Sequence, residues 1–188
     1  LGQIGHPNSL APLLAALRSP NSERRIWAIR ALGKRGGTGV EAALQALATT
    51  DCDEQVVQVA IEALEQLATP EAIASLLELT AHPTRNEACI TALAQFGSAH
   101  LDAIAQGLTH TNAGVRRAVV EVLTRMKHPH ASELLLAALD DRDTAVRLAA
   151  VNALENLGNR SAERKLGVLA NTDPDPTVRR AAQRGVKN

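Results

Sequence analysis

A repeat of about thirty residues runs through the chain, and it restricts the fold more than any other property of the sequence. Leu1-Gly2-Gln3-Ile4-Gly5, Leu32-Gly33-Lys34-Arg35-Gly36, Leu93-Ala94-Gln95-Phe96-Gly97 and Leu154-Glu155-Asn156-Leu157-Gly158 each place a glycine four residues after a leucine. Leu64 and Leu123 begin weaker copies. The anchors at 1, 32, 64, 93, 123 and 154 are spaced by 31, 32, 29, 30 and 31 residues. A unit this short has too little interior to bury an apolar face alone, so each copy has to stack on the next.

Each period holds two amphipathic segments. In the first, helix A, apolar residues recur at helical spacing, as in Leu10, Leu13, Leu14 and Leu17, or Ile73, Leu76 and Leu77, or Leu101, Ile104 and Leu108. The second, helix B, runs up to the anchor leucine and is rich in alanine, which permits close approach of neighbouring helices. Asn21, Asp53, Asn112, Asp143 and Asp175 precede the B segments and are predicted to cap them by accepting first-turn N–H groups; His82 breaks that pattern. The glycine after the anchor is predicted to end helix B in a left-handed conformation. Thr69-Pro70 and Pro129 mark starts of helix A, where proline has no N–H bond to lose.

Composition agrees with an all-α chain. The hydrophobic fraction of 45 % is mostly Ala and Leu rather than the β-branched and aromatic residues of sheets. Tyr is absent and there is one Trp and one Phe, so no pocket can be lined with stacking rings for bases or flat cofactors. Lys+Arg 20 against Asp+Glu 20 argues against a dedicated nucleic-acid sleeve or polybasic membrane clamp. Cys52 and Cys89 form no C-x-x-C pair, which points to neither a disulfide framework nor a zinc site and fits a reducing, cytoplasmic setting. No long apolar run or basic-then-apolar leader is present, and a chain opening at Leu1 reads as a piece of a longer protein.

The approach to each anchor sharpens the assignment. Val115-Arg116-Arg117-Ala118-Val119-Val120-Glu121-Val122, Val146-Arg147-Leu148-Ala149-Ala150-Val151-Asn152-Ala153 and the opening Val178-Arg179-Arg180-Ala181-Ala182 follow a pattern Val-Arg-x-x-Ala-Ala-x-Ala-Leu-Gly. That pattern closely resembles the short HEAT-like repeats of the phycobilisome-lyase type over nearly the whole chain. The resemblance implies a right-handed α-solenoid of about six helical hairpins forming a single domain over residues 1–188, curved and on the order of 50 Å long at roughly 8–10 Å per layer. It implies no particular activity, because the family includes scaffolds, bilin lyases and a metal hydroxylase.

In HEAT-type arrays an Asp in the A-to-B turn meets the Arg six residues later and that of the adjacent repeat. Asp141 with Arg147 and Asp173 with Arg179 match this ladder. It is incomplete elsewhere: Asp51 stands opposite Val57, Ser19 opposite Arg25, His110 opposite Arg116, and Asn86 occupies the Arg position of the third repeat. The expected role is to hold register, since exposed ion pairs contribute only about 0–1 kcal/mol each.

The B helices are expected to line the concave face, and their outward positions are six, five and two residues before each anchor and two after it. The stripe therefore starts with Ile26, Trp27, Arg30 and Lys34. Gln58, Glu62, Glu87, Thr91, Arg117, Glu121, Arg125 and Asn152 continue it as the partner-binding set. Trp27 stands out, because its column elsewhere holds Val59, Ala88, Ala118, Ala149 and Ala181. A lone tryptophan beside Ile26 and Arg30 has the composition of an interface hot spot, while the plainer alternative is that it covers the end of the preceding partial repeat.

Residues 1–94 carry seven Lys/Arg and ten Asp/Glu, and residues 95–188 carry thirteen and ten. Arg116, Arg117, Arg125, Arg179, Arg180 and Arg184 could form a basic patch like that of HEAT-like DNA glycosylases, but the aromatic residues of their base pockets are missing. The HEAT-like hydroxylase holds iron with His-Glu dipeptides, and none of the six histidines here precedes Glu. His128-Pro129-His130 reads as a solvated turn. Neither cysteine has a nearby basic activator in the sequence, and no nucleophile elbow or phosphate loop is present. The sequence thus points to a non-enzymatic scaffold or adaptor with no cofactor, catalytic residue or metal. Its partner is expected to be another protein or another domain of the parent chain, with end-to-end self-association of the open array also expected. A bilin-lyase-like subunit or chromophore chaperone is the alternative reading, ahead of a DNA-binding module.

Overall fold

The computed structural model describes residues 10–158 and 160–187, so the first anchor copy, Leu1 to Gly5, lies outside the described residues. Within them, twelve α-helices form six A–B hairpins and no strand is present. The first three are α1 (Leu10–Ala16) with α2 (Ser22–Arg35), α3 (Val40–Thr50) with α4 (Glu54–Leu67), and α5 (Pro70–Leu79) with α6 (Asn86–Gln95). The other three are α7 (Leu101–Ala105) with α8 (Ala113–Met126), α9 (Pro129–Ala138) with α10 (Thr144–Asn156), and α11 (Glu163–Thr172) with α12 (Pro176–Lys187).

The helices begin where their capping chemistry is. The side chains of Asn21, Asp53, Asn112, Asp143 and Asp175 accept from the backbone N–H groups of Arg24, Gln55, Gly114, Ala145 and Thr177, respectively. In the third hairpin only the His82 carbonyl serves, accepting from Arg85 and Asn86 N–H. α6 accordingly starts late and has 10 residues against 14 in α2, α4 and α8. Thr69 and His128 cap α5 and α9 just ahead of Pro70 and Pro129.

The helix-ending column behaves less uniformly than the sequence pattern. Four residues after the anchors, Ala68 and Lys127 (φ 50) adopt the left-handed helical conformation, and Gly36 (φ 64, ψ −170) and Gly158 (φ 59) are also on the positive-φ side. Gly97 is not: at φ −75 and ψ 177 it is extended. The chain there passes straight into a 3₁₀ turn, Ser98–His100, and the A segment of that hairpin is broken into α7 and a second 3₁₀ turn, Gln106–Thr109, around the buried Gly107. Glycine is a poor interior helix former, and the expected continuous helix through Leu101, Ile104 and Leu108 yields to these turns.

The chain divides into two compact units, Leu1–Leu93 and Ala94–Asn188. In the first, α2 packs on α4, α3 on α5, and α3 and α5 each against α4. Gly33 makes the α2–α4 contact close, since a Cβ there would lie 2.9 Å from the Ala63 Cβ. In the second, α10 packs between α8 and α12, with α9 against α8 and α10 and α11 against α12. The anchor leucines 32, 64, 93, 123 and 154 are each 0–1 % exposed, so the sequence landmark of the repeat is also the centre of each layer's core.

Candidate partner-binding face

Helix B presents a recurring outer face because its core positions are already committed. In the first unit, α2 exposes Trp27, Arg30 and Lys34, α4 exposes Gln58, Glu62 and Gln66, and α6 exposes Glu87 and Thr91. Gln58 donates to Glu62 at 3.1 Å, one helical turn on. In the second unit, α8 exposes Arg117, Glu121 and Arg125, α12 exposes Arg180 and Arg184, and Leu148 and Asn152 of α10 are half-buried. Arg125 pairs with Glu121 across one turn of α8.

Three of the sequence expectations for this face need correction. Ile26 is 8 % exposed and belongs to the core. Its column lies at the margin of the face, where Gln58, Glu87, Arg117 and Arg180 extend polar ends into water while a branched apolar side chain folds inward. Arg116 and Arg179 also leave the expected basic patch, because both guanidinium groups are hydrogen-bonded within the repeat turns.

Trp27 is 62 % exposed, while in the rest of its column Val59 is 6 %, Ala118 2 % and Ala181 1 % exposed and Ala88 and Ala149 are half-buried, so this column, expected to face outward, is otherwise turned inward.

Of the two pairings expected of the turn ladder, the one to the adjacent repeat is present and the one within the repeat is not. Arg147 donates from Nη1 to the backbone carbonyl of Asp141, six residues back, and Arg179 does the same to Asp173, so neither contacts that carboxylate. The carboxylates instead receive the Arg of the preceding hairpin, through paired bonds from Nε and Nη2: Arg25 to Asp51, Arg116 to Asp141, and Arg147 to Asp173. Arg25 and Arg116 also hold the carbonyls six residues back, Ser19 and His110. That explains the apparent gaps, because a backbone carbonyl can come from any residue. What Ser19, Asp51, His110, Asp141 and Asp173 share is a side-chain acceptor for the N–H two residues on. Asn86, in the Arg column, reaches the Thr80 carbonyl with its amide at 2.7 Å.

The rungs are substantially buried, with side-chain exposures of 10 % and 1 % for Arg147 and Asp173. The Arg116 hydrogen bonds hold the Asp141 carboxyl below the usual carboxylate range, and the Arg147 bonds do so for Asp173. Both guanidinium groups are correspondingly raised.

The groups that would seat chemistry are placed as structural parts. Burial pushes the Cys89 thiol up to about 12, outweighing the lowering influence of Arg85, which stands four residues earlier and corrects the expectation that no basic group lies near this cysteine. Cys52 is exposed in the turn before Asp53. His128 accepts the His130 N–H as a helix cap, and His130 pairs with Glu133 at 2.9 Å. Among the described residues, no group of three His, Cys, Asp or Glu side chains is arranged to hold a metal ion, and no helix is long and apolar enough to cross a membrane.

Stacked two-helix layers with buried anchor leucines and a turn ladder define an α-solenoid repeat protein. The HEAT repeats pattern matches residues 10–94, 81–145 and 101–187, and the chain belongs to that family. A sequence search of curated proteins found no match. Among solved structures it is similar to a chain from work on microtubule plus-end tracking by XMAP215, CLIP-170 and EB1, with 19 % identity over 93 % of this chain and 88 % of that one and a TM-score of 0.55. It is also similar to one from work on tubulin recruitment by microtubule polymerases with TOG domain arrays, at 17 % identity over 96 % of this chain and 47 % of that one, TM-score 0.58. Human deoxyhypusine hydroxylase matches at 18 % identity over 97 % and 85 %, TM-score 0.47. At these identities the likeness is one of fold.

Proposed function

We propose that this chain is a non-enzymatic protein-interaction module, and that its exposed helix-B columns hold a partner protein or another segment of its parent chain. HEAT and armadillo-like solenoids are commonly scaffolds of this kind. The observation that carries the reading is Trp27. Leaving a tryptophan 62 % exposed forgoes the gain from burying it, in a column where the other repeats hold small side chains. Arg30 and Lys34 beside it supply a polar, cationic rim.

The test uses Trp27 as both probe and variable. Peptides selected from a random display library against the whole chain should shift its tryptophan emission on binding, because the chain has a single Trp. Trp27→Ala should weaken them at least about 30-fold, the loss expected of a hot-spot residue. A photo-crosslinking residue at 30 or 62 should capture the peptides, whereas one at the exposed Ala46 of α3 should not. Equal capture at position 46, or unchanged affinity in Trp27→Ala, would overturn the reading.

A further inference from the structure

The second unit carries a cationic face that the repeat assembles from three neighbouring B helices. Because α10 packs between α8 and α12, the position six residues before the anchor reads Arg117, Leu148, Arg180 across the unit, and the position two before it reads Glu121, Asn152, Arg184. For α12 the count runs from Val186, the residue in the anchor column. Leu148 and Asn152 are half-buried and the other four are exposed. Arg117 is exposed on α8, which has α10 and α12 stacked beyond it, so the face belongs to the repeat and not to the end of the chain. Among the described residues no acceptor meets Arg117 or Arg184, and Arg180 gives only its Nε, to the Pro176 carbonyl at 3.2 Å. Arg125, two residues after its anchor, pairs with Glu121, so Arg117, Arg180 and Arg184 give the face its charge. The corresponding positions of α4 and α6 hold Gln58, Glu62, Glu87 and Thr91, with no cation.

We infer that this face binds an acidic peptide segment with an apolar residue between two carboxylates, an assignment that rests on the helix-B columns being a partner surface. Leu148 at the centre calls for an apolar side chain, and Arg117 and Arg180 on either side call for carboxylates. Neighbouring helices stand roughly 8–10 Å apart. A polyproline II segment advances about 9 Å in three residues and brings its side chains back to the same side. The sequence that fits is thus acid-x-x-apolar-x-x-acid. A nucleic acid fits less well, because Glu121 stands among the arginines where a continuous phosphate chain would pass. Trp and Tyr are absent from this unit and its Phe96 is 8 % exposed, which leaves no such ring for a base to stack on.

The experiment titrates the end-capped peptide Glu-Pro-Pro-Leu-Pro-Pro-Glu into the isotope-labelled whole chain, up to about 1 mM, and follows amide NMR shifts. The shifts should fall on α8, α10 and α12, and raising the salt should weaken binding. The dissociation constant should rise at least about tenfold for Arg117→Glu and for Arg180→Glu, and likewise when serine replaces the peptide leucine. A peptide with lysine in place of both glutamates should bind the Arg117→Glu, Arg180→Glu variant and not the parent, a rescue that misfolding cannot produce. Trp27→Ala should leave the titration unchanged, so loss of the Trp27 site alone and loss of this one are told apart. The inference is overturned if the peptide causes no shifts, or if the arginine variants bind it as the parent does. It is also overturned if a DNA duplex shifts the same amides more strongly and displaces the peptide.

Discussion

Arg147 and Asp173 join two hairpins through a pair of nearly parallel hydrogen bonds, 2.8 and 3.0 Å long, while the same guanidinium holds the Asp141 carbonyl of its own turn at 2.9 Å. One side chain thus closes its own turn and fixes the position of the next. Such a buried, bidentate pair differs from a surface ion pair, because losing either member leaves the other charge buried without its counter-charge.

Removing the carboxylate should therefore be costly. Asp173→Ala is expected to destabilise the second unit by about 3–5 kcal/mol in urea unfolding. Asp140→Ala breaks a pair with Lys165 in which Asp140 is 70 % exposed, and it should change stability by no more than about 1 kcal/mol. Similar losses for the two would show that the ladder is only a surface feature.

The same rungs predict the acid response. Asp141 and Asp173 have folded-state values below the ordinary carboxylate range, set mainly by their arginine partners. Their contribution is fully present above the unfolded value of about 4 and is lost as pH falls through the lowered folded values. Thermal melting from pH 7 to pH 2 should thus show the second unit weakening on the acid side. The Asp141→Asn, Asp173→Asn variant should start lower at neutral pH and lose less on acidification.

The helix-ending column yields a set of opposite signs. Ala68 and Lys127 sit at φ 50, where a side chain crowds the backbone, so Ala68→Gly and Lys127→Gly should each stabilise by up to about 1 kcal/mol. Gly36→Ala should cost more, about 1–3 kcal/mol, because φ 64 with ψ −170 is a conformation that essentially only glycine adopts. Gly97→Ala should be neutral or stabilising by about 0.4–1 kcal/mol, because its φ of −75 suits any residue and a Cβ there meets nothing within 4 Å. Chemical denaturation of the four variants checks all four signs.

Trp27 should contribute little to the fold. Trp27→Ala is expected to stay within about 0.5 kcal/mol of the parent, and the native emission should be red-shifted and readily quenched by acrylamide. A large loss of stability would assign the ring to packing and remove the main support for the docking face.

Thiol labelling should separate the two cysteines. Cys52 is exposed and should react within the mixing time of a disulfide reagent, while Cys89, buried and with its thiol pushed up to about 12, should react only on unfolding.

Much of the fold was legible in the sequence because its determinants are local. A cap acts over two or three residues and an amphipathic stripe over one or two turns, so Asn21, Asp53 and the anchor leucines could be placed without coordinates. The columns two residues before and after the anchor were legible for the same reason, whereas the column five before it, also expected outside, is exposed at Trp27 but turned inward at Val59, Ala118 and Ala181. Ile26 was misplaced because its column lies at the edge of the exposed side, where side-chain chemistry decides between core and water. Gly97 was misplaced because a glycine permits the left-handed turn without imposing it, and the chain there continues directly into another helical turn.

The amino-acid sequence by itself determined the repeat length, the helix starts and the core of each layer, all of which depend on groups a few residues apart. Only the tertiary structure decided that Arg147 grips the carboxylate of Asp173 and merely the carbonyl of Asp141. That choice depends on how far one hairpin stands from the next. Stacking distance is set by close contacts such as Gly33 against Ala63, and it brings together side chains some twenty-six positions apart that no short-range pattern can pair.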